Sequence, residues 1–229
     1  MENFQMTRSA LAEFLQALRD DMGYSPLSVL KRTLHNVSNE EDIITNVPPL
    51  FSKLMNMKQD ARGLSINEIA SLGNHLEFTN VTSTAIQNWV KRELKTLIGS
   101  PVLGRKYSLD QAAILLIVED LKVVLDLDSI RKVLTLIFNN PADRSDDLLD
   151  PLSFYKGYSD IFEDLRNHNN TILEDEYIEE KATTFINRYQ IEEKEKFVIK
   201  NLLSLSVLSI QTSRYQTKAR NYLERTIIQ

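Results

Sequence analysis

The chain contains no cysteine, and only six glycines, six prolines and one tryptophan in 229 residues. Without cysteine there can be no disulfide, no thiolate nucleophile and no sulfur-ligated zinc site. The three histidines, His35, His75 and His168, are too widely spaced to form a local ligand motif. No run of about 18 or more apolar residues occurs, and the N-terminus shows no basic segment followed by an apolar one. Neither a membrane span nor an export signal is therefore expected, and the expected location is cytoplasmic. Glycine and proline are scarce, and alternating Val/Ile/Thr-rich segments do not recur, so the periodicity predicts an all-α fold. A phosphate loop, a G-x-G-x-x-G run, a nucleophile elbow and a histidine with triad neighbours are all missing as well. The chain does not read as an enzyme, and no cofactor or metal is expected.

The composition is that of a globular protein, 42% hydrophobic and 26% charged, with enough apolar material for one large core or two small ones. The net charge of −5 is unevenly spread. Residues 62–107 carry Arg62, Lys91, Arg92, Lys95, Arg105 and Lys106 against Glu68, Glu77 and Glu93, whereas residues 108–193 are strongly acidic and residues 194–229 basic again. A local basic patch can hold phosphates whatever the total charge, while a distant acidic region lowers non-specific affinity.

Met6 to Leu18 sets Leu11, Phe14, Leu15 and Leu18 on one helical stripe, and Pro26 to Leu34 sets Leu27, Leu30 and Leu34 on another. Residues 46–63 open with Pro48-Pro49 and close at Gly63, which predicts an extended crossing around a short helix. Its Leu50, Phe51, Leu54, Met55 and Met57 are expected to pack on a neighbour.

The block that follows has the clearest logic. Ser65 caps Ile66 to Leu72, with Glu68 completing an S-x-x-E capping box. After the connector NHLEFTN, Thr82 or Ser83 caps a second helix expected to run to about Leu97. On it Thr84, Gln87, Asn88, Lys91, Arg92 and Lys95 share one arc, opposite Ile86, Trp89, Val90 and Leu97. Amides can pair with adenine edges, and Lys or Arg can meet guanine or phosphate, so this chemistry suits a recognition helix. It equally suits the solvated face of a structural helix. The sequel discriminates: Ile98 to Tyr107 turns at Gly99, Pro101 and Gly104 and returns with Arg105, Lys106 and Tyr107, as a wing hairpin against DNA would. Ser108 then caps an apolar helix, Leu109 to Leu125, and Asp126-Leu127-Asp128 opens another, Ser129 to Phe138.

Residues 65–134 resemble the DNA-binding domain of MerR-type regulators, a winged helix-turn-helix. The likeness lies in Ile69-Ala70, in Val81-Thr82-Ser83-Thr84-Ala85-Ile86, in Arg105-Lys106-Tyr107-Ser108 and in Leu127 to Leu134. It implies DNA contacts at Thr84, Gln87, Asn88 and Lys91 of the recognition helix and at Arg105 and Tyr107 of the wing. LGNHLEFTN with TSTAIQNWVKRE and SPVLGRKYS is similar, more narrowly, to an uncharacterised domain-of-unknown-function family, number 1836, found mostly in Firmicutes and itself regarded as MerR-like. Here the connector is longer than the usual tight turn, and the aromatic pair of the recognition helix is reduced to Asn88-Trp89. Sulfur-based metal sensing is excluded. The resemblance names no effector, small molecule or protein.

Residues 139–193 hold the acidic load. The runs Glu174-Asp175-Glu176 and Glu179-Glu180 read as solvated helix faces, and Tyr155, Tyr158, Phe162 and Tyr177 as core. Phe197 to Ile210 is apolar on more than one face, which fits either a central core helix or the contact of a twofold dimer. The basic stretch Arg214 to Arg225 follows it. The expected organisation is an N-terminal helical segment (1–62), a winged helix-turn-helix (63–140) and a C-terminal helical region for dimerisation or effector binding (141–229). The expected function is a dimeric transcriptional regulator on double-stranded DNA. The alternative is a protein-interaction module that keeps the winged-helix shape.

Overall fold

The segment Leu109–Leu121 is apolar around nearly its whole circumference, so it can be stable only if other elements enclose it. In the computed structural model, which describes residues 4–19, 23–34, 40–139, 144–167 and 174–227, they do. Twelve α-helices are present among the described residues: α1 Arg8–Arg19, α2 Pro26–Thr33, α3 Glu40–Asn46, α4 Pro49–Asn56, α5 Ile66–Gly73, α6 Ser83–Lys91, α7 Lys95–Ile98, α8 Leu109–Leu121, α9 Leu127–Thr135, α10 Pro151–Asn167, α11 Glu174–Ile186 and α12 Glu193–Ile227. No strand occurs among them, so the fold is all-α. No helix of the described residues is long and apolar enough to cross a membrane.

α8 is the hub, in contact with α5, α7, α9, α10 and α12. α1 lies along α10, and α11 along both α10 and α12. One continuous apolar core results, running from Met6 to Ile210. Phe51 and Leu54 of the proline-led crossing are buried in it, and Leu50, Met55 and Met57 pack against it as expected. Tyr155, Tyr158, Phe162 and Tyr177 are buried too. His35 and His168 lie outside the described residues. His75 packs edge-on against Phe4, with Nδ1 3.2 Å from the Phe4 carbonyl oxygen.

Two charges buried in the core tie distant parts of the chain together. Arg8, 4% exposed, donates from Nε to both Asp120 carboxylate oxygens at 3.0 and 3.1 Å and from Nη2 to Oδ1 at 2.8 Å. The same guanidinium donates to the Glu77 carbonyl at 2.8 Å and to Thr79 Oγ1 at 2.9 Å. From α10, the Tyr158 hydroxyl donates to Asp120 Oδ2 at 2.9 Å. Burial works against the charge on Arg8, but the adjacent Asp120 outweighs it and holds the guanidinium's pKa above its ordinary value. Burial, with Asp120 adding to it, likewise raises the Tyr158 hydroxyl. Each polar atom of the carboxylate has a donor, which is what a buried ion pair needs to be tolerated.

Glu119, one residue earlier, is less well served. Burial raises its pKa to about 7, and Lys122 Nζ, 3.0 Å from Oε2, offsets only part of that. Among the described residues Oε2 has no donor in hydrogen-bonding geometry. Because the folded state holds this proton above the ordinary carboxylate range, stability falls as pH rises between about 4.5 and 7. Glu119→Gln is therefore expected to remove that slope and to be more stable than the parent at pH 8, by roughly 1–2 kcal/mol. Thermal unfolding of both proteins across pH 5–8 checks it.

Four elements differ in length from the sequence reading. The second helix of the motif ends at Lys91, and residues to Ile98 form a separate short helix. α8 ends at Leu121 and α9 at Thr135, each closed by tight turns that periodicity does not register. α12 runs 35 residues, far beyond Ile210.

Candidate nucleic-acid interface

Local signals in the chain fix the start of each helix in this region. Ser65 and Glu68 form the reciprocal capping box at α5, with Glu68 Oε2 2.7 Å from the Ser65 amide. α6 begins behind Thr82, whose hydroxyl accepts from the Ala85 amide at 3.2 Å. Between them, residues 74–82 form a connector that is held on three sides. Asn74 brackets it, donating from Nδ2 to the Val81 carbonyl and accepting from the Val81 amide, both at 2.9 Å. Arg8 holds Glu77 and Thr79 as described, and Arg166 of α10 pairs with the Glu77 carboxylate. Gly73 is required here, since a Cβ would stand 2.8 Å from Val81 Cγ1. The connector is long but pinned, so α6 sits at a defined angle on α5.

α6 buries Ile86, Trp89 and Val90 and exposes Thr84, Gln87, Asn88 and Lys91. Lys122 of the turn after α8 lies over the Trp89 ring at 5.7 Å, adding a contact between α6 and the hub. The single arc expected through Lys95 is interrupted. Arg92 caps α6 at φ −128° and ψ −85°, and the Leu94 amide reaches back to the Trp89 carbonyl at 2.8 Å. That bond spans five residues, which loosens the turn and lets Leu94 enter the core. Lys95 therefore starts α7 and is not on the face of α6, although it and Arg92 are both exposed.

The segment after α7 is a tight turn anchored at its base. Leu103 and Lys106 exchange backbone bonds at 3.0 and 3.1 Å around Gly104-Arg105. Gly104 has φ +67° and Arg105 a negative φ, the signs of a II′ turn with glycine first. Leu64 and Tyr107 exchange a second pair at 2.9 and 2.8 Å, and a Cβ on Gly63 would meet the Tyr107 carbonyl oxygen at 3.0 Å as well as Leu103 Cδ1 at 2.8 Å. Gln111 of α8 donates to the carbonyls of Ile98 and Ser100, both at 2.8 Å. The hairpin expected here thus amounts to isolated bridges and not to strands. Val102 and Arg105 are exposed on it and Lys106 is half-buried.

Tyr107 differs from the other candidate residues. It is 6% exposed, and burial raises its hydroxyl above the ordinary value. Its ring supports the turn from within the core. Lys91, Arg92, Lys95, Arg105 and Lys106 form no ion pair or side-chain hydrogen bond among the described residues, whereas Lys53, Lys122, Lys156 and Arg166 do. Cations left without an internal partner keep their charge available to an outside anion.

Sequence reasoning missed Arg8, Glu77, Asp120, Tyr158 and Arg166, which position the connector. One signal was present: Glu119-Asp120 interrupts an otherwise apolar helix, and a carboxylate at such a place must find a buried partner. Nothing local pointed to Arg8, 112 residues away.

The family of DUF1836, a domain of unknown function, matches residues 56–158. An uncharacterised protein of Bacillus subtilis strain 168, YkrK, is 34% identical over 225 residues, covering 96% of this chain and 97% of that protein. No solved structure matches significantly.

Proposed function

The chain belongs to the DUF1836 family, and from its α5–connector–α6–turn arrangement we propose that it is a sequence-specific, DNA-binding transcriptional regulator of MerR-like winged helix-turn-helix type. It acts in the cytoplasm as a homodimer on double-stranded DNA. α6 enters the major groove with Thr84, Gln87, Asn88 and Lys91 toward the bases, while Arg92, Lys95, Arg105 and Lys106 hold phosphates on either side. Tyr107 braces the turn that carries the last two. The observation that carries this reading is the pairing of an amide-and-cation face, backed by a buried Trp89, with cations that have no internal partner among the described residues.

The fold supports the assignment mechanically. A recognition helix reads bases only if its angle to the phosphate contacts is fixed, and the pinned connector and anchored turn both serve that end. The acidic C-terminal half opposes loose, non-specific binding, which favours selectivity over raw affinity. It also leaves room for a small-molecule or protein effector.

Salt tests the proposal. In anisotropy titrations against duplexes retained from a random pool, log K should fall linearly with log salt, at about 0.9 per phosphate contact. Binding that ignores ionic strength, or no retention of DNA, would contradict it and favour a protein-interaction module on the same scaffold.

A further inference from the structure

A carboxylate, a cation and the single tryptophan of the chain meet at the end of α8. Glu119 is 7% exposed and Trp89 5%. The Lys122 ammonium touches both, 3.0 Å from Glu119 Oε2 and 5.7 Å from the centre of the Trp89 ring. The backbone of Lys122 is fixed, because it caps α8 and its amide donates to the Val118 carbonyl at 3.0 Å. Its side chain is one-third exposed and could otherwise extend into water, as lysines at helix ends do. The carboxylate and the ring are what set its direction.

That direction matters to α6. This helix packs chiefly against α5 and α7, and Trp89 is the largest side chain it buries. A cation over the indole face therefore links α6 to the hub, and such a contact strengthens where water is excluded. Its strength here depends on an anion that keeps the ammonium inside. Glu119 lies one turn before Lys122 and is the only residue to form an ion pair with it among the described residues.

The other charges near α8 are committed elsewhere. Asp120, beside Glu119, is bonded to Arg8 of α1 and to the Tyr158 hydroxyl of α10. On α5 Glu68 pairs with Lys53, on α9 Asp128 pairs with Arg131 and Lys132, and on α12 Lys200 pairs with Glu179. Lys95 of α7 is exposed. Glu119 thus answers to Lys122 first, with Asp120 and Arg8 acting on it more weakly. Its ionised form weakens the fold, yet that form is the one that draws Lys122 inward. A charge that lowers stability while fixing one contact acts through orientation.

We propose that Glu119 and Lys122 are positioning residues for α6: the ionised carboxylate holds the ammonium against Trp89, and protonation of Glu119 releases it and loosens the seat of α6. That α6 reads DNA rests on the proposed function; the link among these three side chains does not.

Trp89 is the only tryptophan, so acrylamide quenching of the tryptophan emission of the full chain reports the contact directly. No DNA is present, and a failure here is separable from a failure of DNA recognition. The quenching constant of the parent is expected to rise about twofold between pH 8.5 and 5.5, with its midpoint at about 7. Glu119→Gln should show the higher constant at every pH, although it is the more stable protein at pH 8. A role in packing alone would move stability and quenching in the same sense. Lys122→Met should be flat as well, and Lys122→Arg, which keeps the cation, should retain the step. His75, packed on Phe4 and Phe51, is present in every variant, so its contribution cancels in the comparison. A parent constant that does not change with pH, a step that survives in Glu119→Gln, or a step abolished by Lys122→Arg overturns the proposal.

Discussion

Arg8→Met destabilises the chain by about 3–5 kcal/mol in urea unfolding, because it leaves Asp120 buried without its counter-charge. The guanidinium also holds the Glu77 carbonyl and Thr79 Oγ1, and these lose donors in the same substitution. The partner substitution Asp120→Leu should cost a similar amount, since it strands a buried guanidinium and removes the acceptor of Tyr158. Together, Arg8→Met/Asp120→Leu should cost much less than the sum of the two, because no unpaired charge remains. Recovery stops short of the parent, since the Glu77 carbonyl and Tyr158 hydroxyl still need partners. Additive losses would mean that the pair acts as two independent packing groups. In the proposed function the same substitution has a second consequence, because the connector ahead of α6 loses one of its three restraints.

Lys91→Ala/Arg105→Ala weakens DNA binding about a hundredfold and lowers the salt slope by about 1, since Arg105 leaves one phosphate without its cation while Lys91 gives up a base contact. Neither side chain has an internal partner among the described residues, so the unfolding free energy stays within about 0.5 kcal/mol of the parent. Gln87→Ala should behave differently. It faces bases in the proposed docking, so it should relax sequence preference at one position by about 1–3 kcal/mol without altering the salt slope. Equal affinity in the double variant would show that the charged face has been placed on the wrong side of the domain.

Much of the helical framework was legible because its signals are local. The box at Ser65/Glu68 and the cap at Ser108 need only residues three positions apart and stand as the sequence suggests; of Thr82 and Ser83 it is Thr82 that caps α6, and Gln111 completes a second box with Ser108 that the sequence reading did not name. The apolar helix read from Leu109 is present, ending at Leu121, and lies buried at the centre.

What could not be read depends on contacts between remote residues or on backbone events without a residue signature. No glycine or proline marks the break at Arg92 to Leu94. The apolar rhythm of Trp89, Val90, Leu94 and Leu97 runs straight across it, and only the five-residue bond from Leu94 to Trp89 reveals the change. Tyr107 matched a family pattern by position, yet its ring is turned inward, an orientation that alignment of letters does not carry. In α12 the apolar density falls after Ile210, so the sequence reading stopped there. The helix nevertheless persists to Ile227, with Tyr215 and Tyr222 exposed on it.

The central claim is that the exposed face of α6 and the Arg105-Lys106 turn read DNA. Selecting fragmented DNA of the host genome on the purified chain at near-physiological salt, and sequencing what is retained, tests it most directly. The account predicts a shared inverted repeat among the retained fragments, each half read by one copy, and its loss in Lys91→Ala/Arg105→Ala. Retention with no common sequence, or no retention at all, would contradict it.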